Sequence, residues 1–82
     1  MDKIEKKTND LKKGTKVLLS TGYTAELVDN RRGDRRRVKI EEPIQDEGDI
    51  WAYKIVQYCD ENGNWHPIVH TKSQLKIKEI YG

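Results

Sequence analysis

The sequence predicts an all-β fold: a small, strongly bent antiparallel barrel of five to six short strands. Three observations carry this reading. Apolar residues alternate with polar ones in short runs such as TKVLLS and RRRVKIEE, the period a strand with one inward face requires. Turn formers (Thr21-Gly22-Tyr23, Asn30-Arg31-Arg32-Gly33-Asp34, Asn62-Gly63) separate those runs. The chain has 82 residues, which makes one domain and leaves nowhere for the crossover helices of a βαβ arrangement.

Residues 1–13 are mostly Lys, Asp, Glu, Asn and Thr, with only Ile4 and Leu11 available for burial, so a mobile N-terminal arm is expected there and the barrel over 14–82. A first strand follows over 15–20. Gly22 supplies the positive φ of the next turn, and TAELVD forms a second strand with Ala25 and Leu27 on one face. After a turn at 30–34, RRRVKIEE is the third strand, with Val38 and Ile40 inward and Arg37, Lys39 and Glu41 outward. Pro43 should stop it, and PIQDEGD has the composition of an exposed loop. IWAYKIVQYCD is the longest strand-like run, joined to WHPIVH through Asn62-Gly63. A two-residue turn there would set Cys59 opposite His66 and Tyr58 opposite Pro67. Thr71-Lys72-Ser73-Gln74 reads as one short helical turn before a last strand, LKIKEI, with Leu75, Ile77 and Ile80 facing in.

This order of parts resembles the SH3-like barrel group. Over residues 11–42, LKKGTKVLLSTGYTAELVDNRRGDRRRVKIEE is similar to its KOW-type and Tudor-like versions, in which a glycine-led strand, a turn and two further strands run in sequence. The KOW pattern usually has a second glycine inside the second strand, where this chain has Thr24-Ala25-Glu26. The stretch from Gly48 through GNWHPIVHTKSQLK also resembles small uncharacterised proteins of tailed bacteriophages of marine cyanobacteria, a likeness that implies no activity.

Charge is dense and uneven. Residues 31–39 carry six basic side chains and one acidic, whereas 41–49 carry five acidic and none basic, within a net charge of only +2. Arg31, Arg32, Arg35, Arg36, Arg37 and Lys39, supported by Lys12, Lys13 and Lys16, would suit the phosphates of a nucleic acid or ribonucleoprotein. An equal alternative is a solvated hairpin whose arginines protect an edge strand. If Glu41, Glu42, Asp46, Glu47 and Asp49 fold over the arginines, their field is cancelled within a Debye length of ~8 Å.

The other function classes are weaker. Cys59 facing His66 would offer a thiol and a base, but no oxyanion hole or pocket is evident, so no catalysis is expected. Cys59, His66 and His70 do not have the spacing of a structural zinc site, because two histidines four residues apart on a strand are more than about 12 Å apart. Arg32-Gly33-Asp34 spells an adhesion motif, but a turn with glycine at the bend and solvated charges explains it far better. We expect no metal and no cofactor. A single cysteine and the lack of an apolar run of ~18 residues point to a cytoplasmic protein without a membrane span. The leading expectation is therefore a non-catalytic module that binds nucleic acid. Its alternative is a protein-interaction module using Tyr23, Trp51, Tyr53 and Trp65 as an aromatic groove, or a homo-oligomer built from complementary charges.

Overall fold

A computed structural model describes residues 6–29, 35–42 and 45–81. The predicted turn at 30–34, with Arg31 and Arg32, and the strand stop at Pro43 lie outside the described residues. The fold is mostly β: strands β1 (Lys16–Leu19), β2 (Thr24–Asp29), β3 (Arg35–Glu42), β4 (Asp46–Trp51), β5 (Ile55–Cys59) and β6 (Trp65–Pro67), then helix α1 (Lys72–Tyr81). All pair antiparallel in one sheet of order β4-β3-β2-β1-β5-β6. Among the described residues no ladder joins β4 to β6, so the sheet is not closed by hydrogen bonding.

The first three strands follow the alternation of the sequence. Val17, Leu19, Ala25, Leu27 and Val38 are buried on one face, and Ile55, Tyr58, Ile68 and Leu11 complete the core against them. Ile40 and Ile50 pack at its margin. Gly22 takes φ 93° in the β1–β2 turn, a conformation open to glycine without steric cost.

Four expectations are corrected. Residues 6–13 are not a free arm: Lys6 bridges Ile68, Thr8–Asp10 forms a 3-10 turn, and Thr8 and Leu11 are buried. The acidic segment is not a loop but edge strand β4, in which Glu47 and Asp49 lie beside Lys39 and Arg37 of β3 on the outer face and Asp46 lies opposite Ile40. Loop-like composition is what a charged edge strand shows, since it has one neighbour and two wet sides. The long run after Gly48 is broken, because Ile50 and Trp51 end β4 and a 3-10 turn, Ala52–Lys54, precedes β5.

The last correction is the end of the chain, where LKIKEI is helical and no closing strand forms. Its apparent alternation over six residues fits either period. The start signal decides: Thr71 Oγ1 accepts from the Gln74 backbone N–H at 3.2 Å while Gln74 Oε1 accepts from the Thr71 N–H at 3.0 Å, a capping box that launches three turns. Leu75 and Ile80 are consequently exposed and do not face the core. Gln74 is buried instead, 2% exposed, and donates through Nε2 to Thr8 Oγ1 at 3.1 Å, tying the helix to residues 6–11. No helix among the described residues is long and apolar enough to cross a membrane.

Candidate functional site

The β3–β4 register explains where the cations go. Arg35, Arg37 and Lys39 lie opposite Trp51, Asp49 and Glu47, and on the other side Arg37 and Lys39 lie opposite Asp29 and Glu26 of β2. Arg35 sits 4.6 Å from the centroid of the Trp51 ring. Arg37 donates to Glu47 at 3.1 Å and lies 3.6 Å from Asp49, so its guanidinium is held still more firmly charged, first by the Glu47 hydrogen bond. Arg36 has the inward parity of Val38 and Ile40 and is 1% exposed, with Nη1 donating to the Arg35 carbonyl at 2.6 Å. Its guanidinium is therefore not part of the outer surface. Lys12, Lys13 and Lys16 are exposed, and Lys16 stands opposite Glu26. The row Lys16, Glu26, Lys39, Glu47 thus alternates in sign across four strands. Among the described arginines, Arg37 pairs with the acidic strand, through Glu47 and Asp49.

At the β5–β6 hairpin the turn is one residue longer than a two-residue Asn-Gly turn. Asp60 N–H donates to the Asn64 carbonyl at 2.8 Å, Gly63 N–H to the Asp60 carbonyl at 3.1 Å, and Gly63 takes φ 84°. This is a type I turn followed by a left-handed glycine. The register shifts accordingly: Cys59 lies opposite Trp65, Tyr58 opposite His66 and Gln57 opposite Pro67. Neighbouring positions point to opposite faces of a strand, so Cys59 and His66 are separated by the sheet. His66 Nε2 instead meets Asp60 Oδ2 at 2.6 Å, and Asp60 Oδ1 accepts from the Asn62 and Asn64 N–H groups, each at 2.9 Å. These contacts hold the Asp60 carboxyl below the usual carboxylate range, the His66 hydrogen bond most of all. His70 Nε2 approaches the Ile55 carbonyl at 2.8 Å. Among the described residues no group of three or more His, Cys, Asp or Glu side chains is gathered as a metal site.

The aromatic candidates separate. Tyr53 is buried, with Lys54 Nζ 5.2 Å from its ring centroid. Trp65 is exposed on β6, on the far side of β1 and β5 from Tyr23. Tyr23 and Trp51 come together around a groove of about 360 Å³ lined mainly by apolar side chains, with Leu19, Ile40 and Ile50 between them. Local hydrogen bonds build it. The Leu19 N–H donates to the Tyr23 carbonyl at 2.8 Å and the Ser20 N–H to the Lys54 carbonyl at 2.7 Å, which fixes the β1–β2 turn beside the 3-10 turn following Trp51. Tyr23 remains 44% exposed on one wall, and Ser20, Thr21, Asp49 and Lys54 supply polar margins. Sequence reading had singled out both aromatics but missed Leu19, Ile40, Ile50 and Lys54. Ile50 carried no usable signal, because it sat at the head of a run that looked like one strand.

No protein-family model, no curated protein and no solved structure matches this chain.

Proposed function

We propose that this protein is a protein-interaction module that takes an extended peptide segment of a partner in the groove between Tyr23 and Trp51. The observation that carries this reading is the groove itself: an apolar floor of Leu19, Ile40 and Ile50 open to solvent between two aromatic walls. Apolar surface held open beside few polar groups is what a peptide's side chains need to gain from leaving water. Asp49, Ile50 and Trp51 of β4 line the groove, and among the described residues β4 is an end strand of the sheet, where an extended segment can add by backbone hydrogen bonds. An SH3-like architecture belongs to the same proposal, supported by the strand order with β1 between β2 and β5.

Selection from a displayed library of random twelve-residue peptides tests it. Enriched peptides should bind about tenfold more weakly to Tyr23→Ala, a loss typical of an anchoring aromatic. Absence of enrichment, or equal binding by Tyr23→Ala, would overturn the reading.

A second reading keeps the nucleic-acid expectation through Lys12, Lys13 and Lys16, which are exposed near one another on the approach to β1. It predicts affinity for a single-stranded oligonucleotide that falls steeply with salt and is weakened by replacing all three lysines. The peptide reading predicts a nearly salt-independent affinity.

A further inference from the structure

Helix α1 packs on the 3-10 turn Ala52–Lys54 and reaches Trp51, a wall of the groove, through one ring. Tyr81 stacks on Trp51 with centroids 5.2 Å apart and planes 16° from parallel, although Tyr81 itself is 63% exposed. The same indole carries the Arg35 guanidinium. Along the helix only Gln74 is buried, while Leu75 and Ile80 are exposed. The helix is anchored at its first turn, through the Thr71 cap and the Gln74 bond to Thr8, and where it packs on the 3-10 turn Ala52–Lys54. Ten residues make too short a helix to be stable without such anchoring, and Tyr81 in its last turn is placed by the stack on Trp51.

We propose that the last turn of α1 is a displaceable cover: Tyr81 occupies the Trp51 wall, and a partner engages the groove by replacing Tyr81 with a neutral aromatic side chain of its own. This rests on the groove reading above. The chemistry of the replacement follows from what surrounds the indole. Arg35 already supplies a cation there and Lys54 lines the same groove, while the Asp49 carboxylate at its margin is already paired with Arg37, so an incoming Lys or Arg would meet like charge. An uncharged ring reproduces the contact it displaces. One stacked pair is a weak latch, worth only severalfold in an equilibrium, so a partner that also fills the floor between Leu19 and Ile50 can open it. The first-turn anchor would keep the helix attached while its last turn moves.

The test uses p-cresol, the tyrosine side chain without its backbone, as the probe. Trp65→Phe leaves Trp51 as the only tryptophan, since the chain has two. In that background Tyr81→Ala and Tyr81→Leu are compared with Tyr81 intact and with Tyr81→Phe; leucine retains helix propensity without a ring, so helix loss and ring loss are distinguished by circular dichroism. Titration is followed at the Trp51 indole N–H and at Tyr23 by NMR, alongside acrylamide quenching of Trp51. With either ringless variant p-cresol should bind about threefold to tenfold more tightly and Trp51 should quench more readily, while Tyr81→Phe behaves as the parent. Equal affinity and equal quenching with and without a ring at 81 would overturn the cover. If p-cresol then still shifts Tyr23 in every variant, the groove stands and only the cover fails; if it shifts neither Trp51 nor Tyr23 in any of them, the groove reading fails as well.

Discussion

The β3–β4 ribbon and the end of the molecule where β5, β6 and α1 meet are both polar in sequence, yet they are fastened differently. On the ribbon, charged side chains answer one another across an exposed face: Arg37 with Glu47 and Asp49, Lys39 beside Glu26 and Glu47. Such pairs contribute little each, because both partners are well solvated and must be ordered to meet. What holds the ribbon is beneath it, where Val38 and Leu27 face each other with almost no exposed surface. At the other end the polar groups themselves do the fastening. Asp60 collects two backbone N–H groups and His66, and Gln74 joins the helix cap to Thr8 in a buried position. Charge density on its own says little about what stabilises a region; burial and the number of satisfied partners decide.

Substitutions at four positions would break or sharpen that contrast. Val38→Ala should cost about 2 kcal/mol, from lost burial and an incompletely collapsed cavity, read by urea denaturation; a neutral result would mean the ribbon is not held from its inner face. Gln74→Ala leaves the buried Thr8 hydroxyl without this donor and removes half of the capping box, so a loss of about 1–2 kcal/mol is expected. Faster amide exchange over both α1 and residues 6–11 would distinguish this from a defect confined to the helix.

Asp60→Ala should lower the melting temperature and loosen the hairpin. Because the folded pKa of Asp60 is depressed, its stabilisation is fully present above the unfolded carboxylate value of ~3.9 and disappears as pH falls through the lower folded value. Melting curves of the parent should therefore drop in that acid window more than those of Asp60→Asn, which keeps a carbonyl acceptor but has no carboxyl to titrate. Parallel curves would remove Asp60 as the source. Arg37→Gln should have the smallest effect, close to zero in equilibrium stability and smaller still at high salt. A large, salt-insensitive loss would show that the outer ion pairs stabilise the sheet after all.

Much of the sheet was legible from residues alone. The alternation of Val17, Leu19, Ala25, Leu27, Val38 and Ile40 identified three strands and their inner face; Arg36 shares that inward parity, yet the sequence reading counted it among the phosphate-binding cations, and the structure buries it. The mistakes arose where two local patterns coincide. DEGD looks the same in an exposed loop and on a charged edge, and the difference is made by β3 offering Arg37 and Lys39 across from it. Asn62-Gly63 fits a two-residue turn, but the Asp60 carboxylate captures the Asn62 and Asn64 N–H groups and selects the three-residue form. That choice moved every cross-strand pair by one and separated Cys59 from His66. Only the aromatic walls of the candidate site could be read, since Tyr23 and Trp51 stood out as aromatics, while its apolar floor looked like ordinary core.

By itself, then, the sequence determined the class of fold, three of its strands, the turn positions at Gly22 and Gly63, and the opposed charges of the two halves of residues 31–49. These are local matters of period, sterics and composition. Only the tertiary structure decided that the acidic half pairs with the basic half, that LKIKEI coils into a helix anchored through Gln74 on Thr8, and that Tyr23 and Trp51 share one groove. Each of those depends on groups far apart in the chain coming within a hydrogen bond or a van der Waals contact, and no short window contains both partners.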